Sequence, residues 1–124
     1  MNSMNIKKVL VVDDSPTDRY VLTSLLEGEG YAVETVESGN GALSKIREGQ
    51  PQLVLLDGAV PGTSGYQIAR QLECDPDLKD LPVMMYGARE HGADCVWALC
   101  QGVRSYVVKP LDPEELLTKI GAID

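Results

Sequence analysis

Residues 8–18 read Lys-Val-Leu-Val-Val-Asp-Asp-Ser-Pro-Thr-Asp. The stretch holds three signals in a row. Val9 to Val12 are apolar and mostly β-branched, which reads as a short strand with both faces buried. Asp13 and Asp14 then interrupt the run. Ser15-Pro16-Thr17-Asp18 follows as a helix start, with serine as N-cap, proline at the first helical position and an acid in the first turn. A buried strand, a polar corner and a capped helix make one half of a βαβ unit.

The same unit recurs along the chain. Val21, Leu22, Leu25 and Leu26 fall at helical spacing, and Gly28 and Gly30 end that helix. Ala32 to Val36 alternates as a second strand, followed by a helix over about 40–48 that stops at Gly49 and Pro51. Leu53 to Leu56 is fully apolar and ends at Asp57. A Pro-Gly turn leads to a helix over about 66–73. Val83 to Tyr86 reads as the fourth strand, turning a corner at Gly87. A fourth helix is expected over 90–101, a fifth strand over 106–108, and a last helix opening at Asp112-Pro113-Glu114-Glu115. This alternation predicts an α/β fold: a doubly wound, five-stranded parallel sheet with helices on both faces.

Composition narrows the function. The chain has 124 residues, 44% hydrophobic and 24% charged, which suits one domain over 1–124. Its net charge of -8 leaves no basic stripe for nucleic acid. No apolar stretch near the N-terminus is long enough for a signal peptide or a membrane span. Cys74, Cys95 and Cys100 lack metal-type spacing and read as reduced thiols of a cytoplasmic protein.

Ligands of such sheets bind outside the carboxyl ends of the strands. Strand one ends in Asp13-Asp14, strand three in Asp57, strand four in Gly87-Ala88 and strand five in Lys109-Pro110. Taken singly, each has a bland reading: a cap, a turn residue, a solvated lysine. Together they put three carboxylates and a lysine at one sheet edge. Crowded carboxylates repel one another, and a hard divalent cation such as Mg2+ relieves the repulsion. One aspartate could then attack a phosphoryl donor, with the lysine stabilising charge on the transferred group.

At these residues the chain resembles the response-regulator receiver domains, of the small stand-alone chemotaxis or twitching-motility type. Val-Leu-Val-Val-Asp-Asp-Ser-Pro (9–16), Leu-Val-Leu-Leu-Asp-Gly-Ala-Val-Pro-Gly-Thr-Ser-Gly (53–65), Leu-Pro-Val-Met-Met (81–85) and Tyr-Val-Val-Lys-Pro (106–110) stand in family order. The resemblance implies the flavodoxin-like receiver fold. It makes Asp57 the phosphoacceptor, charged by a histidine kinase. Mg2+ is implied at Asp14, at Asp13 directly or through water, at Asp57 and at the backbone carbonyl of Ala59. Lys109 would contact the phosphoryl group. Output would be a protein–protein contact through the face of the fourth helix, the fifth strand and the last helix, including Trp97 and Arg104, with no nucleic acid or membrane partner.

One residue departs from the family pattern. The family carries Ser or Thr at the end of strand four, where this chain has Gly87, followed by the usual small residue, Ala88. Tyr106 supplies the aromatic that the family couples to that hydroxyl. The missing hydroxyl leaves two expectations: a phosphorylated receiver with a weakened switch, or an atypical receiver that acts as a phosphorylation-independent docking module or phosphate sink. A haloacid-dehalogenase-type phosphatase also uses aspartate, magnesium and lysine, but resemblance to that family requires Asp-x-Asp after strand one, whereas here the pair is adjacent and followed by Ser15-Pro16. The chain is therefore expected not to be an enzyme.

Overall fold

The computed structural model describes residues 6–57, 65–88, 105–109 and 112–123. In chain order the elements are β1 (Lys8–Val12), α1 (Pro16–Gly28), β2 (Ala32–Val36), a 3-10 turn (Gly39–Gly41), α2 (Ala42–Gly49), β3 (Leu53–Asp57), α3 (Gly65–Cys74), β4 (Val83–Ala88), β5 (Ser105–Lys109) and a last helix, α4 (Pro113–Ile123). The strands form one sheet in the order β2-β1-β3-β4-β5, and every neighbouring pair is parallel. The helix expected over 90–101 lies outside the described residues, as do Ala59, His91, Cys95, Trp97, Cys100, Arg104 and Pro110.

The uniformly apolar strands are explained by two cores, one on each face. Leu10, Val12, Val54, Leu56, Val83 and Met85 pack with Ala42 and Ile46 of α2 and Ile68 and Leu72 of α3. Val9, Val11, Leu53, Leu55, Met84, Tyr86 and Val107 pack with Leu22 and Leu26 of α1 and Leu116 and Ile120 of α4. Successive strand residues point to opposite faces, so a strand covered on both sides must be apolar at every position.

Helix α1 starts as its sequence dictates. Ser15 is extended, its Oγ accepts the Asp18 N–H at 3.2 Å, and Pro16 opens the helix. At the other end, the N–H groups of Gly30 and Tyr31 close onto the carbonyls of Glu27 and Leu26. Gly30 sits at φ +97°, a conformation that costs any side chain. The last helix opens with the Asp112 carboxylate accepting the Glu114 N–H at 3.0 Å.

Several boundaries differ from the sequence reading. The second helix is preceded by a tight 3-10 turn over Gly39–Gly41 and continues to Gly49. Its left-handed closing residue is Gln50, at φ 49°, rather than a glycine, and its N–H bonds to Ile46 at 2.9 Å. Strand β4 does not end at Tyr86. It runs on through Gly87, paired with Val108, and Ala88, paired with Lys109. The partner β3 stops at Asp57, opposite Tyr86. At Gly87 and Ala88 the pairing among the described residues is with β5, a strand distant in sequence.

Candidate functional site

The strand order brings the acids together. Val12 of β1 pairs with Leu56 of β3, so the next residue on each strand, Asp13 and Asp57, emerges at the same edge of the sheet. Carboxylate oxygens of Asp13, Asp14 and Asp57 all lie within 4.8 Å of one another. Asp13 is fully buried, Asp57 is 5% exposed and Asp14 is exposed. The cluster is therefore open to solvent on one side and walled by the sheet on the other.

Asp13 is held firmly. Its N–H donates to the Val36 carbonyl at 3.0 Å, which ties the end of β1 to β2. Its Oδ1 accepts the Ser15 N–H at 2.9 Å. Its Oδ2 accepts the Tyr86 hydroxyl at 2.7 Å. Its own carbonyl accepts from the Arg19 guanidinium at 2.8 Å, so a cation on α1 anchors the β1–α1 corner. Ser15 fills the cap position of α1, as the sequence suggests, leaving the aspartates for the site. Burial, the bond to Asp13 and the charges of Asp13, Asp57 and Asp18 all push the Tyr86 phenol far above its ordinary pKa. The phenol is thus a permanent donor.

The donor set has the chemistry a hard cation needs. Mg2+ takes oxygen ligands, commonly one or two carboxylates completed by water and phosphate oxygens. Three oxygen donors within reach of one another, with one member facing solvent, fit that ion. The other expected residues stand around them. Gly87 is buried, one residue beyond the Tyr86 position that pairs with Asp57. Lys109, Ala88 and Tyr106 hold their register positions in β5 and β4, while their side chains lie outside the described set.

Tyr86 and Arg19 were missed by the sequence reading. A signal for Tyr86 was present: a buried tyrosine in an otherwise apolar strand needs a partner for its hydroxyl. Nothing local names that partner, because Asp13 is 73 residues away in sequence.

A family comparison decides the identity of this arrangement: residues 9–121 match the response regulator receiver domain. The chain is a response-regulator receiver domain. It belongs to the phosphoacceptor modules of two-component signalling, not to classical enzymes. This receiver is 40% identical over 116 residues to protein PilH of Pseudomonas aeruginosa, covering 94% of this chain and 96% of PilH. It is 36% identical to the transcriptional regulatory protein ResD of Bacillus subtilis, covering 99% of this chain but 50% of ResD. Among solved structures, the receiver superposes on the chemotaxis protein CheY4 of Vibrio cholerae with a TM-score of 0.87 at 27% identity, covering 96% of this chain and 99% of that one. Among the described residues no helix is long and apolar enough to cross a membrane.

Proposed function

We propose that Asp57 is the phosphoacceptor of this receiver and that Asp13, Asp14 and Asp57 hold Mg2+ beside it. The observation that carries the reading is the meeting of the three carboxylates at the ends of β1 and β3. An Asp57 oxygen attacks the phosphorus of a phosphohistidine on a partner kinase. The P–N bond breaks, its electron pair stays on the imidazole nitrogen, which takes up a proton, and an acyl phosphate forms on Asp57. Bound Mg2+ supplies neutralisation of charge on the phosphoryl oxygens. Lys109, at the end of β5, would contact the phosphoryl group, and the Ala59 backbone carbonyl would be a further metal ligand. Arg19 and Ser15 keep the β1–α1 corner in place while the charge arrives.

The same reading treats residues 1–124 as one cytoplasmic receiver. It signals by protein–protein contact through the face of β5, the last helix and the segment before β5. The likeness to PilH supports a stand-alone role of this kind. The phosphorylation-independent docking reading has no separate support among the described residues.

Incubation with acetyl phosphate and Mg2+, followed by intact-mass measurement, tests the site. One phosphoryl group is expected on the wild type and none on Asp57→Ala. Equal labelling of the variant overturns the assignment.

A further inference from the structure

We propose that Tyr86 is a positioning residue of the cation site, its hydroxyl fixing the Asp13 carboxylate for Mg2+; this rests on the metal reading above. Strand β4 supplies Val83, Met84 and Met85 to the cores, and at the next position the chain places a phenol that is 1% exposed. Its ring packs among apolar residues of the α1 and α4 face, including Val11, Leu55 and Val107. Phenylalanine would fill that space equally well. The hydroxyl therefore adds something that packing does not require.

Its bond to Asp13 says what. The 2.7 Å bond to Asp13 Oδ2 has the length of a charge-assisted O–H···O bond. With the Ser15 N–H on Oδ1, the carboxylate is gripped at both oxygens, from β4 on one side and from the β1–α1 corner on the other. Two donors fix the plane and rotation of the group. A carboxylate has about four acceptor sites, so these two bonds do not by themselves saturate it. The bond also crosses the sheet. β4 and β1 are not neighbours, since β3 lies between them. Tyr86 therefore reaches past the phosphoacceptor strand and ties the cation site to the strand that carries Gly87. Where the side chain at 87 offers no hydroxyl, the one at 86 connects the same strand to the acids.

Titration calorimetry with MgCl2 on the wild type and Tyr86→Phe tests the proposal, with urea unfolding as a check that both are folded. Outer partners of metal ligands are worth about 10–100-fold in affinity, so Tyr86→Phe should bind Mg2+ at least tenfold more weakly. Tyr86→Met, a second side chain without a hydroxyl, should weaken binding likewise. In selectively 13C-labelled wild type, the Tyr86 ring resonance should move on adding Mg2+. Affinities within twofold of wild type in the folded variants, or a Tyr86 resonance unmoved by Mg2+, overturn the role of Tyr86 alone. A wild type that binds no Mg2+ overturns the metal reading together with it.

Discussion

Replacing Asp13 by Asn should stabilise the metal-free protein while weakening its response to Mg2+. The magnitude follows from the site. At the 4.8 Å that bounds the cluster, two like charges repel by about 3.5 kcal/mol at an effective dielectric near 20 and by about 0.9 kcal/mol in water. Asp57 is buried, so its pair with Asp13 takes a value near the first. Asp14 is exposed, so its pair takes the second. The asparagine oxygen can still accept the Ser15 N–H, with loss of its charge assistance, about 1 kcal/mol. Its amide N–H meets the Tyr86 hydroxyl donor to donor, so the buried phenol loses its acceptor, at a cost of about 2 kcal/mol. The balance favours Asp13→Asn by about 1 kcal/mol in chelator at low ionic strength. For a chain of this length, that is a rise of about 4 °C in Tm. Calorimetric melts in EDTA and in MgCl2 provide the assay. In EDTA the variant should melt higher, and Mg2+ should raise the wild type more than the variant. A variant less stable than wild type in EDTA would refute the claim that the acids repel one another in the folded state.

Gly87→Thr restores a hydroxyl worth about 1.5–3 kcal/mol to a charged group, or roughly tenfold or more in the switching equilibrium. Beryllium fluoride with Mg2+ should then shift amides over more of residues 83–109 than in wild type, and an unchanged set of shifts would count against the coupling. Asp75 has its pKa lowered by the Asp77 N–H and then by the Arg47 side chain. A depressed carboxylate stabilises above its unfolded pKa of about 4 and loses that contribution as pH falls below it. Asp75→Asn should therefore lower the urea midpoint at pH 6, with the gap narrowing as pH falls below about 4; a gap that does not narrow contradicts the ionic origin. Gly30→Ala places a Cβ in open space but at φ +97°, so it should cost about 1–2 kcal/mol, read as a lower urea midpoint, purely through the backbone.

The sheet was legible because its signals are local. Residues 8–18 carry strand, corner and cap within one stretch, and Ser15 and Pro16 perform as written. The acids were legible because each follows directly on an apolar run, and strand ends gather at one edge. What escaped depends on partners far along the chain. The extension of β4 to Ala88 goes with its pairing to β5, and the left-handed turn falls on Gln50 rather than on a glycine. The Tyr86–Asp13 bond needs three strands in their final order before the two residues meet.

That order has a consequence for how the protein comes to be competent. The first and third strands lie side by side while the second is sent to the rim. An N-terminal βαβ piece, with β2 paired to β1, carries Asp13 and Asp14 but not Asp57. The cluster of three carboxylates comes into existence only when β3 inserts beside β1, a long-range loop closure in folding terms. On the phosphoacceptor reading proposed above, a copy whose β3 has not joined β1 would lack the assembled site, so competence to take a phosphoryl group would report on a completed sheet.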